Sequence, residues 1–462
     1  MDDKIWQVKN PYTEIVTANK NTCIKRLEGL LRIPSVLDYY DPKRDTPFGP
    51  GIQEALDYML ELAKKDGFVT KNVNNYAAHI EFGEGDEILG ILCHLDVVPA
   101  QKNGKWNHDP FDPTTEDGKI FARGAMDDKG PTMAAYMALK LLRDEVKDFT
   151  PKKRIRLILG TDEETGWRGL KEYFKTEEMP TIGFAPDASF PLIYGEKGIL
   201  TFIFEMPFQN DELVEFTCGH VGNVVPGEAT AVLTVDVKDA FLRYLDENDY
   251  KGSVDGDTYI IKGKEAHAMA PDLGLNAGYL MAQFLAKHIE NPYIKFINEV
   301  LLFDHHAENL GIDFYDEEMK ALTMNNGIFR YNKDEVKIDF NCRYPKGFVV
   351  DQADKILDEV AKKHGFTYTQ TYHRVVHYVD PNDELVQTLH SVYKEGTGDT
   401  EHLPFTIGGG TYARAIPHGV AFGMGFPGRS DVAHQANEYV HIQDYLSGTM
   451  LYMAAIKRLT GN

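Results

Sequence analysis

Five short stretches of this 462-residue chain carry the residue types that bind and use divalent metal ions: His94-Leu95-Asp96, Asp127-Asp128, Asp162-Glu163-Glu164, Asp187 and His434. Two imidazoles among several carboxylates are what a pair of co-catalytic metals needs, and the reaction such a pair serves is hydrolysis. Each stretch also has a plainer reading. His94 could be satisfied by a backbone carbonyl, and adjacent acids before a helix suit capping. Asp162-Glu163-Glu164 could be a solvated acidic loop. Asp187, in Ala185-Pro186-Asp187-Ala188, could be a turn residue, and a lone histidine such as His434 is usually structural.

The elements that must position these residues favour the chemical reading. Glu87 to Cys93 reads as a buried strand, with His94 at its C-terminal end. Arg154 to Leu159 reads as a second strand running into Asp162-Glu163-Glu164, and Ile182 to Ala185 as a short third one leading to Asp187. Gly130-Pro131 opens a helix through about Val146, directly behind Asp127-Asp128. Helices are also expected over 22–33 and 51–66, the second stopped by Gly67. Strands alternating with helices imply a largely parallel sheet, and ligands of such sheets bind outside the carboxyl ends of the strands.

From about residue 193 to 376 the pattern changes. Short alternating strands are expected at 200–205, 230–237, 258–262, 327–329 and 336–342, with helices near 273–289 and 350–364. That reads as a separate α+β domain with antiparallel strands. Beyond it, Thr406 to Thr411 looks like a strand entering a glycine-rich turn, and 440–459 reads as a helix.

Bulk properties narrow the function classes. A chain of this length exceeds what one hydrophobic core normally holds. Its net charge of −22, from 71 acidic and 49 basic residues, argues against nucleic acid or an anionic membrane as partner. Cys23, Cys93, Cys218 and Cys342 form no CxxC pair, so neither a zinc knot nor a disulfide framework is expected. No signal peptide or membrane span is evident, and a cytoplasmic location is the expectation.

Longer segments carry a resemblance. Cys93-His94-Leu95-Asp96-Val97-Val98-Pro99, Trp106 with Pro110-Phe111, and Gly118 are followed by Ala122-Arg123-Gly124-Ala125-Met126-Asp127-Asp128-Lys129-Gly130. With Thr161-Asp162-Glu163-Glu164 and Ala185-Pro186-Asp187 in the same order, the chain resembles the aminoacylase/carboxypeptidase-type di-zinc metallopeptidases along essentially its whole length. Gly195-Glu196-Lys197-Gly198 and Ile407-Gly408-Gly409-Gly410-Thr411-Tyr412-Ala413 are similar to the PepV-type, carnosinase-like branch of dipeptidases.

The resemblance implies an α/β fold. A catalytic domain over 1–192 and 377–462, with a mostly parallel mixed sheet flanked by helices, would be split by an inserted α+β lid domain over 193–376. It implies two divalent ions, zinc first, with manganese or cobalt compatible with the same ligands. Asp127 would bridge them, His94 and Asp187 completing one set and Glu164 and His434 the other. Asp96 would orient His94, Glu163 would be the general base, and the Asp127–Asp128 peptide would be cis. The lid would supply His267 to polarise the scissile carbonyl, with Asn223 and Arg343 holding substrate. Backbone N–H groups of the turn containing Gly409, Gly410 and Thr411 are candidates for a substrate carboxylate. His108, His220, His305 and His306 are expected to be structural or exposed.

The expected activity is therefore a metal-dependent dipeptidase acting on dipeptides with a free N-terminus. Its partner is a small peptide, and the protein is expected to be a monomer. The alternatives are an N-acyl-amino-acid deacylase using the same metals, a metal-binding regulatory protein, and an acidic structural protein.

Overall fold

Three of the acidic and histidine stretches leave the same edge of one sheet. The computed structural model describes residues 6–100, 104–209 and 212–461. Its chain divides into two units, one of residues 1–194, 379–405 and 411–462, the other of residues 195–378 and 406–410.

In the first unit four parallel strands lie side by side in the order Arg154–Gly160, Ile88–His94, Ile182–Ala185 and Gly419–Ala421. Ala77–Phe82 and Val69–Val73 extend the sheet antiparallel on one side, and Ile193 pairs antiparallel with Ala421 on the other. All seven residues of Ile88–His94 are buried, which suits a near-continuous apolar strand covered on both faces. The sheet is tight at Gly90, where a Cβ would lie 2.6 Å from Pro180 Cγ and 3.0 Å from Ile416 Cδ1.

The helices of this unit start and stop for local reasons. Pro50–Lys65 has proline in its first turn. It ends in a Schellman motif: Gly67, at φ +85°, donates to Lys64 O at 3.0 Å, and Phe68 donates to Ala63 O at 3.0 Å. Lys129–Glu145 is almost wholly buried and packs on the last helix, Ile442–Leu459. A Cβ at Gly130 would collide with the Ala125 carbonyl, so the Asp127 turn folds back closely on the start of that helix. The last helix begins later than the expected 440, because Tyr439–His441 forms a strand against Lys119–Phe121.

The second unit is an antiparallel sheet with helices. Its strand order is Lys251–Asp255, Thr258–Lys262, Glu228–Leu233, Leu213–Cys218, Phe329–Tyr331, Val336–Tyr344, Gly198–Glu205 and Thr367–Arg374. Buried and half-buried residues alternate along Gly198–Glu205, placing Phe202 in the core, stacked 4.4 Å from Phe340. The helices are Lys238–Glu247, Ala277–Leu285 and Val350–Lys363, with shorter turns between.

Several expected boundaries move. The strand expected over 230–237 stops at Leu233, because Asp236 accepts the Lys238 N–H at 3.1 Å and opens a helix. The helix expected from 273 begins at Ala277, where Asn276 caps it by accepting the Gly278 N–H at 2.9 Å. Residues 406–410 belong to the second unit, where the reading from sequence had placed them in the first. The cause is pairing: Lys197 N–H donates to Ile407 O at 3.0 Å, and the Thr406 hydroxyl donates to Glu318 O at 3.1 Å. No helix among the described residues is long and apolar enough to cross a membrane. All four cysteines are buried and unpaired.

Candidate metal centre

His94 ends its strand with the ring fully buried, and its Nε2 lies 3.1 Å from Asp127 Oδ1 and 3.3 Å from Asp187 Oδ2. On the other oxygen of Asp127 the picture repeats. His434 Nε2 is 3.0 Å from Asp127 Oδ2 and 3.0 Å from Glu164 Oε1. Five residues from strand ends, a helix N-terminus and a distant loop thus gather around one carboxylate. Among the described residues, His94, Asp127 and Glu164 offer ligand atoms that all lie within 4.8 Å of one another.

Neighbouring acids hold this arrangement by their hydrogen bonds. Asp96 accepts the Glu163 N–H at 3.1 Å and the Glu164 N–H at 3.0 Å, one on each oxygen. His94 Nδ1 is 3.0 Å from the Asp96 carbonyl and 3.5 Å from its carboxylate, so the backbone of Asp96 is the nearer orienting acceptor. Asp128 is the N-cap residue of the helix behind, yet its side chain makes no capping bond. Its Oδ2 accepts the His94 N–H at 2.9 Å and the Thr132 hydroxyl at 3.0 Å. Asp162, fully buried, is bound by Nε and Nη2 of Arg168 at 2.7 and 2.6 Å. The Asp127–Asp128 peptide is cis.

The donor set fits divalent metal. Asp127 Oδ1 is buried and, despite its closeness to His94, has no hydrogen-bond partner. Burial, aided by the charge of Asp127, pushes Asp187 up to about 6. Burial pushes Glu163 up to about 8, with Asp187 and Glu164 adding to the rise and His94 opposing it. Hydrogen bonds to Asp127 and then Glu164 push His434 up to about 11. Carboxylates drawn toward protonation and an imidazole held charged all report a place short of positive charge, which metal ions supply. These five residues could hold divalent metal, His94 and Asp187 lying to one side of Asp127 and Glu164 and His434 to the other.

The residues expected from the inserted region lie in the second unit. His267 pairs with Val224 on a two-stranded ladder, and Ala268 N–H donates to Asn223 O at 2.9 Å, so His267 and Asn223 are neighbours. His267 Nδ1 accepts the Met269 N–H at 3.1 Å, which leaves the ring proton on Nε2. Partial burial, then the charge of Arg343, lowers its pKa, which favours the neutral ring. Arg343 lies on Val336–Tyr344 and is buried, its Nε donating to Asn341 Oδ1 at 2.8 Å. Gly409 approaches Met269 Sδ within a hypothetical Cβ distance of 3.6 Å. Thr411, in the first unit, uses its hydroxyl to accept the Ala413 N–H at 3.2 Å and cap a 3-10 turn. Among the other histidines, His108 is 3.4 Å from Glu116, His306 Nδ1 is 2.8 Å from Leu322 O, and His220 is exposed.

Two residues at the centre carried no assigned role in the sequence reading. Glu438 accepts the N–H groups of Met126 and Asp127 at 2.8 and 3.1 Å and pairs with Arg123 at 2.5 Å. Arg123 stands in the segment before Asp127, but its pairing with Glu438 spans 315 residues and leaves no local signal.

Residues 90–458 match the sequence pattern of Peptidase family M20/M25/M40. A provisionally named dipeptidase of Staphylococcus haemolyticus is 42% identical over 97% of this chain and 99% of its own. Another from Staphylococcus epidermidis is 43% identical with the same coverage. Human carnosine dipeptidase 1 shares the fold, with a TM-score of 0.59 at 17% identity over 97% of this chain and 98% of its own. The dipeptidase Dug1p of Saccharomyces cerevisiae shares it too, with a TM-score of 0.58 at 15% identity over 97% and 98%. The chain belongs to Peptidase family M20/M25/M40.

Proposed function

We propose that this peptidase is a metal-dependent dipeptidase that hydrolyses dipeptides with a free N-terminus. The observation that carries the reading is the convergence of His94 and His434 on the two oxygens of Asp127, with Asp187 against His94 and Glu164 against His434. The dipeptidase names of relatives identical at 42–43% support the substrate class. His94, Asp127 and Asp187 would hold one divalent ion and Asp127, Glu164 and His434 the other, zinc being the first choice. When bound, such ions polarise the peptide carbonyl and make a water molecule acidic near neutral pH.

The chain's own residues do the rest. Glu163 is the general base: Asp96 fixes its backbone, and burial brings its carboxyl toward working pH, where accepting and returning a proton are both feasible. It takes the proton of the attacking water and gives it to the leaving amine. His267, neutral with its proton on Nε2, donates to the carbonyl oxygen as charge builds there, an effect of about 3 kcal/mol for a preorganised donor. Arg343 suits the free carboxylate of a dipeptide because its fork matches two oxygens, with Asn223 as a further polar contact. Gly409 and Gly410 offer backbone N–H groups for the same end, and Thr411 shapes that turn through its cap. The protein would act as a monomer in the cytoplasm.

The test is a panel of dipeptides and their N-acetylated forms on protein reconstituted with zinc or manganese. Rapid cleavage of free dipeptides and none of the acetylated forms is expected. Faster cleavage of the acetylated forms would identify an N-acyl-amino-acid deacylase and sink the proposal.

A further inference from the structure

His434 is the weakest-held member of the ligand set. It lies outside any helix or strand, its side chain is 52% exposed, and its backbone is left-handed at φ +63°. Something other than packing must aim it. The His434 carbonyl accepts from Arg123 Nη2 at 3.3 Å, and the Gln435 carbonyl accepts from Arg123 Nη1 at 3.3 Å. A longer bond of 3.5 Å runs from Nη2 to Pro99 O. Arg123 is in turn anchored at 2.5 Å by Glu438 Oε2, whose other oxygen accepts the N–H groups of Met126 and Asp127. One path of hydrogen bonds therefore joins the backbone of Asp127 to the backbone of His434.

The two side chains of this pair are 3% and 0% exposed. Burying such a pair costs desolvation that its attraction need not repay. Arg123 Nε is also buried without a hydrogen-bond partner, so the guanidinium is aimed at the cost of one of its own bonds. Another buried pair, Arg429–Asp444, gives the contrast. It ties a loop directly to the last helix, Arg429 Nε and Nη2 donating to the two oxygens of Asp444.

We propose that Arg123 and Glu438 are positioning residues that set His434 against Asp127 before metal arrives, and so determine the affinity of the ion those two residues share with Glu164. They touch neither metal nor substrate. The inference rests on the two-metal reading given above.

The experiment is a zinc titration of the metal-stripped full chain against a competing chromogenic chelator. Wild type should take up two ions. Arg123→Lys keeps the charge but cannot span the His434 and Gln435 carbonyls. Glu438→Gln keeps the shape but turns an amide toward Arg123. Each should hold the first ion within about threefold of wild type and the second about 10–100-fold more weakly, the range seen when a ligand's supporting partner is lost. Retention of the first ion also reports that the variant is folded, and Glu438→Gln carries the test alone if Arg123→Lys does not fold. Two wild-type affinities, or equal weakening at both sites, would overturn the inference. His434→Ala separates the two levels: if it still binds two ions, the ligand assignment is wrong and the clamp falls with it.

Discussion

The two sides of Asp127 are built from opposite materials. On one side, His94 is fully buried at the end of a central strand, its N–H held by Asp128 and its Nδ1 by the Asp96 carbonyl. On the other, His434 stands half-exposed on a loop, its ring against Asp127 and Glu164 and its carbonyl accepting from Arg123. A donor that belongs to a sheet is placed by folding, whereas a donor on a loop needs a dedicated clamp. The difference predicts that the His94 side serves fold and chemistry together and the His434 side chemistry only.

Asp127→Ala should erase the comparison, because both sides share this residue. Neither ion should bind tightly and turnover should vanish. A variant that still carries two ions by elemental analysis would refute the shared carboxylate. Next in size, Glu163→Gln should lower turnover by roughly 10²–10⁴-fold and leave both ions in place, whereas Glu164→Gln should lose the ion on the His434 side. Equal metal content in these two variants would show that the adjacent acids do not divide their roles.

Stability gives the sharpest contrast. In metal-free protein, His94→Ala should cost about 2–4 kcal/mol, as a buried truncation does, and His434→Ala, on a half-exposed loop side chain, should cost less. Thermal melts with chelator present read this directly, and similar losses in both variants would end the distinction. The smallest effect concerns release. Mixed with excess chelator, the wild type should lose its ions in two phases, the His434-side ion leaving first, and a single phase would argue for equivalent sites.

Much of the first side could be read in the sequence. Ile182–Ala185 was expected within its observed bounds, and the strand before His94 within one residue, because short apolar runs edged by Glu, Pro and Asp mark buried strands. The functional edge followed from parallel strands sharing one carboxyl end. The second side was legible as residues but not as structure. Nothing local to His434 says that Arg123, 311 residues earlier, holds its carbonyl. Glu384–Thr397 was not singled out as a helix, although Asp383 caps it by accepting the Leu385 N–H at 2.8 Å. Its apolar face becomes evident only against the last helix, on which it packs. Thr411 shows a different limit: a threonine after glycines suggests ligand contact as readily as capping, and its hydroxyl accepts the Ala413 N–H at 3.2 Å.

The narrow passage at Gly90 bears on all of this. Every side chain from Ile88 to Cys93 is apolar and buried, so the usual inside–outside code cannot tell one alignment of this strand from the next. Yet a slip of a single residue would turn the His94 imidazole to the opposite face of the sheet. Among seven positions only Gly90 fits under Pro180 and Ile416, and moving Leu89 or Ile91 into that gap would drive a branched side chain into both. A residue with no side chain thus acts as the key that indexes the strand, and the place of the first histidine is decided four residues before it is reached.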